Sequence, residues 1–427
     1  MSTKKKLCLV NAVGLTPEHA RDLPSLKGLG DICPWKSPAP ALTCSSQASM
    51  LTESGPQQHG IVANGWYFRE TQEIRFWQQA FQLLDAPVFY RPYQCASIFW
   101  WFAQGSPARW SLIPKPHYGC DGGKYFDVLD LTECRLQEQL GPFPFHAFWG
   151  PFSGLASSQW LAKAGMLTME TQQPELTLIY LPHLDYGDQR CIPGDPKALL
   201  ELDKLLLEIR DCCEKLGIQL AVLSEYGLEP VDQPVFLNRI FAEQGWIATR
   251  KGPTGTQLLP WESRCFAVCD HQIAHIYIQK GLSIREVQSV VAGMAGVETV
   301  AAPEHFGLQH SRSGELVALA KKGAWFAYPY WKSGENPPDY AQTIDIHRKP
   351  GYDPCELFLG SKFNLGRRIL QKKLGLRTRF DIICPDESLV KGSHGRPVYG
   401  DKGPVFVGIH PLECMTQLGA WCREVLG

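Results

Sequence analysis

The chain has 427 residues, 44% of them hydrophobic and 11% aromatic, enough to bury a large core without covalent staples. Its 42 Lys and Arg against 43 Asp and Glu leave a net charge of -1, so there is no general field to attract nucleic acid or an anionic membrane, and recognition of a phosphate has to be local. Fifteen scattered cysteines, odd in number and without paired CxxC spacing, fit reduced thiols in a cytoplasm.

The opening MSTKKKLCLVNAVGL has a basic start, but its apolar run is short and soon meets Pro17, Glu18 and His19. It predicts a buried parallel strand over Leu7 to Val13 rather than a leader, and no later stretch is long and apolar enough to be inserted in a membrane. LTLIYL (Leu176 to Leu181) and QLAVL (Gln219 to Leu223) have the same character, with an amphipathic helix predicted between them over about Lys197 to Leu216. Strand, long helix and strand predict a doubly wound α/β fold, whose sites lie past the C-terminal ends of its strands. Asn11 to Leu15, His183 to Gln189 and Ser224 to Gly227 fall at those ends. Cys212 and Cys213, adjacent in a helix, point apart and are expected to pack in the core.

Between Trp261 and Ala327 the pattern becomes strand, helix, strand, strand, an inserted α+β cap of the split βαβ kind, with Ser283 and Glu286 predicted to form a capping box. The expected division is a core of residues 1-260 and 346-427 with a cap over 261-345.

The stretch from Pro38 to Glu70 carries the chemistry. Thr43 precedes an apolar helix pattern, where it is either an N-cap or a hydroxyl presented at a helix N-terminus suited to a phosphate. Thr43, then His59-Gly60-Ile61, then Asn64 resembles the nucleophile segment of the type I phosphodiesterase and nucleotide pyrophosphatase family of the alkaline phosphatase superfamily. The resemblance continues through LIYLPHLDYGDQR, VLSEYG and KGSHGRP. It implies an alkaline-phosphatase-like, mostly parallel sheet with helices on both faces. It further implies Thr43 as nucleophile, Asn64 as donor to a phosphoryl oxygen, and two divalent metals, commonly zinc.

The ligand pattern departs from the family's. Val13 stands where an Asp is expected, Gln189 and Tyr226 where histidines are, and Glu225 where an Asp is; Asp185 and His394 are retained. Val offers no donor, and Gln and Tyr are poor zinc ligands, so the expectation is one ion on Asp185, Glu225 and His394, with magnesium or manganese as alternatives to zinc. His183, the strand pair His271 and His275, and Asp270 are further donors. Asp345 and His347, beside Arg348 and Lys349, are expected to meet substrate, as is Trp66, while Phe99 to Trp101 read as core. The reaction implied is hydrolysis of a small-molecule phosphate ester through phosphothreonine; phosphonate and sulfate esters pass through a similarly charged centre. The alternative is a catalytically altered or inactive member that binds a phosphate-bearing metabolite or a protein partner.

Overall fold

The computed structural model describes residues 5–120, 123–279, 281–332 and 334–427. In chain order the strands used below are β1 (Leu7–Ala12), β2 (Asp31–Pro34), β3 (Cys95–Ile98), β4 (Trp110–Pro114), β5 (Val128–Asp130), β6 (Leu176–Leu181) and β7 (Gln219–Leu223). A later group, β8 (Cys265–Asp270), β9 (Ile273–Ile278), β10 (Val297–Ala301) and β11 (Leu316–Ala320), is followed by β12 (Val405–Gly408). The main sheet runs β2-β12-β7-β1-β6-β3-β4-β5. Its inner five strands are parallel, and β12 and β5 run antiparallel to their inner neighbours.

The inner strands are near-continuous apolar runs because helices cover both faces of a parallel sheet. All six residues of β1 and of β6 are buried. The helices used below are α1 (Thr43–Thr52), α2 (Leu155–Gln172), α3 (His183–Arg190), α4 (Pro196–Leu216), α5 (Ile284–Ala292), α6 (Lys362–Lys373) and α7 (Leu418–Leu426). In α4, Leu202, Leu205, Leu206, Ile209 and Cys213 recur at three- and four-residue steps and are buried. Asp195 caps it by accepting from Lys197 N at 3.0 Å, and Gly217, at φ 65°, ends it.

Register fixes where the site must be. β1 pairs with β6 from Leu7↔Leu176 to Ala12↔Leu181, and with β7 from Leu7↔Gln219 to Asn11↔Leu223. The segments that follow, at Val13, His183 to Gln189 and Ser224 to Tyr226, therefore leave the sheet along one edge, as the sequence pattern predicts.

The antiparallel sheet β8-β9-β11-β10, with α5 beside β10, forms a second layer and its own apolar core. Ser283 is the N-cap of α5, but its side chain makes no capping hydrogen bond, so the predicted capping box is not formed. All fifteen cysteines are free thiols, and Cys212 and Cys213 pack in the core. Among the described residues no helix is long and apolar enough to cross a membrane.

Candidate active site

Thr43 is the first residue of α1, with Leu42 rather than Thr43 in the capping position. Its hydroxyl, instead of closing the helix end, lies 2.9 Å from the Tyr226 hydroxyl. The HGI turn brings Asn64 back beneath the same helix end, where its Oδ1 accepts from Cys44 N at 2.9 Å. Asn64 N and Nδ2 donate to the two carboxylate oxygens of Asp270, at 2.8 and 3.2 Å, so the end of β8 holds this turn in place.

Glu225, just past β7, is fully buried, and its Oε1 accepts from Asn11 Nδ2 and Gln47 Nε2, both at 2.6 Å. Burial pushes its carboxyl up to about 8 against the pull of those two amides. The other oxygen, Oε2, has no close hydrogen bond, and the Thr43 hydroxyl is the further group that pulls on the carboxyl. Asn11 thus reaches the site from β1, while Val13 is buried and contributes only a backbone bond to Leu181 O.

Asp185 lies in the first turn of α3, and Gln189, one turn on, donates to its Oδ2 at 2.9 Å. Burial, with the charge of Asp188, lifts Asp185 to about 7. Its Oδ1 is buried without a close hydrogen bond, with the Tyr226 hydroxyl near enough to pull on the carboxyl, and faces His394 Nε2 at 3.7 Å. His394 Nδ1 lies 2.8 Å from Ala41 O, which can only accept. The ring proton therefore sits on Nδ1, and in the neutral ring Nε2 presents a lone pair. Burial lowers His394 to about 3, which keeps it neutral. Two acceptors thus face each other, and that arrangement is relieved by a proton on Asp185 or by a cation.

The rings of Tyr226, His394, His271 and Tyr352 form one stack, with successive centroids 3.6, 3.7 and 3.7 Å apart. Tyr352 ends it by donating to Gln189 Oε1 at 2.5 Å. Tyr226 and Gln189 are therefore tied into the protein's own bonding, Tyr226 to Thr43 and Gln189 to Asp185 and Tyr352.

Val13 supplies no side-chain donor, and Gln189 turns an amide N–H toward Asp185. Among the described residues no three His, Cys, Asp or Glu side chains are grouped as ligands of one ion. What does fit a cation is the facing pair Asp185 Oδ1 and His394 Nε2.

The remaining expected residues lie apart. Trp66 is buried in a cluster with Cys44, Ile61 and Trp101, and stacks on Phe68 at 4.9 Å, so it supports the underside of α1. Asp345 pairs with Lys124 at 3.1 Å and its N–H donates to Glu356. His347 Nδ1 lies 3.3 Å from Phe76 O. His347 and Arg348 line a surface cleft of about 430 Å³ to which Thr43, Asp185, Glu225 and His394 do not contribute. His271 and His275 are not the strand pair that the sequence suggests. β8 ends at Asp270, His271 takes a positive φ of 58° in the turn, and His275 on β9 faces Val62 O at 3.1 Å. His183, beside Ser158 Oγ at 2.9 Å, is likewise a buried structural group. Phe99 and Trp100 pack in the main core as expected.

Sequence reasoning missed Gln47 and Tyr352. Gln47 sits one turn after Thr43 on the same helix face, which is a usable signal. Tyr352 lies in an irregular loop and had none.

Residues 7–353 match the type I phosphodiesterase / nucleotide pyrophosphatase family. Among solved structures, phosphonoacetate hydrolase from Sinorhizobium meliloti 1021 in complex with phosphonoacetate superposes with a TM-score of 0.64 at 15% identity, covering 99% of this chain and 96% of that one. Murine ectonucleotide pyrophosphatase / phosphodiesterase 5, an inactive variant in complex with AMP, gives 0.58 at 13% identity, covering 99% and 95%. The human counterpart gives 0.57 at 14%, with the same coverage. At these identities the superpositions speak for the fold, which is alkaline-phosphatase-like.

Proposed function

Because the chain belongs to the type I phosphodiesterase / nucleotide pyrophosphatase family, a family of phosphoric ester hydrolases that generally use divalent metal ions, we propose that it hydrolyses a small-molecule phosphate ester with Thr43 as nucleophile. The observation that carries this reading is the Thr43 hydroxyl at the start of α1, set among the buried acid–base groups Tyr226 and Glu225.

In this reading Thr43 Oγ1 attacks phosphorus, the Oγ1–P bond forms, and the bond to the leaving oxygen breaks. The Thr43 proton goes to Glu225, whose raised carboxyl is a base matched to neutral and mildly alkaline pH. Tyr226, itself held far above the usual phenol range by burial, stays protonated and orients the Thr43 hydroxyl. Asn64 offers its second amide hydrogen to a phosphoryl oxygen, its first being committed to Asp270. The leaving oxygen departs with the proton that Glu225 took up; the ionised carboxylate then takes a proton from the water that attacks the phosphothreonine, the Oγ1–P bond breaks, and that proton restores the Thr43 hydroxyl.

Of the expected metal trio, we assign Asp185 and His394 to one divalent ion, zinc by family and by the imidazole donor, with manganese or magnesium as alternatives, and Glu225 to the proton. When bound, the ion supplies positive charge against the transferring group. The segment 261-345 serves as the cap over this site, and fifteen free thiols favour a reducing compartment such as the cytoplasm.

A second reading is favoured by one observation. Thr43 is only 4% exposed and its hydroxyl is already engaged by Tyr226, as in a protein that keeps the fold to bind rather than to cleave. Hydrolysis of an aryl phosphodiester, with and without zinc, magnesium and manganese, separates the two. The hydrolase reading expects turnover that Thr43→Ala lowers at least about a thousandfold. Absence of turnover under every metal condition with a folded protein selects the binder.

A further inference from the structure

A different surface asks for a partner. Of the chain's 42 Lys and Arg, seven fall between Gly360 and Phe380, and none of its 43 acidic residues does. Most of that stretch is α6, twelve residues capped by Ser361, whose side chain accepts from Asn364 N at 3.3 Å, and without a single buried residue.

An ordinary surface helix turns its apolar stripe inward, but of the four half-buried residues of α6, Asn364, Leu365, Arg368 and Gln371, three are polar. Arg368 grips the Asp381 carboxylate through two bonds of 2.6 Å, and Asn364 Nδ2 donates to Asp381 O at 2.6 Å. On the far side Phe363, Leu370 and Leu374, at steps of seven and four, form an apolar row that is 83%, 58% and 67% exposed. Lys362 and Lys373 flank that row on one side and Arg367 on the other, by their helical positions. None of the three is in an ion pair among the described residues.

We propose that α6 is an interfacial helix that lays this face on the surface of an anionic lipid bilayer, holding the protein there peripherally. The chemistry selects that occupant. Apolar side chains between cations sink into the acyl boundary while the cations meet lipid phosphates, whereas the phosphate backbone of a nucleic acid has no use for a row of Phe and Leu. A two-fold pairing of copies through this face is opposed by charge, since it would bring like patches face to face.

The test is sedimentation of the full chain with vesicles of phosphatidylcholine, with or without about a third phosphatidylserine. The proposal expects binding to the anionic vesicles alone, released by high salt. Arg367→Gln with Lys373→Gln should weaken it about thirtyfold, and Phe363→Ser with Leu374→Ser at least about tenfold. All four side chains are exposed, so both variants should keep the parent's circular dichroism and melting temperature, which is checked alongside. No binding to anionic vesicles overturns the proposal, including when the helix instead captures an acidic protein. So does binding that the charge variant loses and the apolar variant keeps, which marks a simple polyanion site.

Discussion

Glu225→Gln should make the metal-free protein more stable and less active at once. The carboxyl is fully buried and lifted from 4.5 to about 8. The unfolded chain therefore ionises it from about pH 4.5 upward while the folded protein resists. The stability it contributes is intact below pH 4.5 and is lost progressively as pH rises, the loss levelling off above about pH 8. By pH 7 the two and a half units already crossed correspond to about 3 kcal/mol at about 1.4 kcal/mol per unit. Glutamine does not titrate, and its Oε1 still accepts from Asn11 and Gln47. Its amide takes the place of Oε2, which has no close hydrogen bond, at a cost of roughly 1 kcal/mol. The expected net gain is about 2 kcal/mol at pH 7, vanishing or reversing near pH 4.5. Urea denaturation of chelator-treated parent and variant at pH 5, 7 and 8 measures it. A difference between the two that does not change with pH refutes the argument.

Turnover should depend on the same carboxyl in the opposite sense: because the base must be ionised, the rate rises with pH up to about 8, and Glu225→Gln removes that limb along with most of the activity. Tyr226→Phe keeps the ring stacked on His394 but frees the Thr43 hydroxyl. It should lower kcat by about tenfold to a hundredfold with KM little changed, because orientation and not binding is lost. Lys349, 1% exposed, bonds Asp353 and Glu356 at 2.7 Å each. Lys349→Met leaves two buried carboxylates unpaired and should cost about 3–5 kcal/mol in denaturant titration, much of it recovered when Asp353→Asn and Glu356→Gln are added.

Much of this architecture was legible because a parallel sheet writes itself as apolar runs. Leu7, Leu176 and Gln219 all begin inner strands, and strand ends told where polar residues would gather. Thr43, Asn64, Asp185, Glu225 and His394 stood out for a different reason, order along the chain in a family pattern; in the structure Thr43 meets Tyr226, Tyr226 stacks on His394, and His394 faces Asp185. Asp345, His347 and Trp66 were assigned by proximity in sequence to a motif or by charge, neither of which fixes direction. Trp66 turns under α1 into the core, and the Lys349 ion cluster holds the segment of Asp345 and His347 against Glu356 and Phe76. The partners of Tyr226 and Gln189 were also invisible in sequence: only the structure gives Thr43 for one and Asp185 and Tyr352 for the other.

The account turns on whether Thr43 becomes covalently attached to phosphorus. Intact-mass and peptide mass spectrometry of protein quenched during turnover of an aryl phosphodiester should find a phosphoryl adduct on Thr43, absent from Thr43→Ala. Sustained hydrolysis with no adduct at that residue, undiminished in Thr43→Ala, would contradict it.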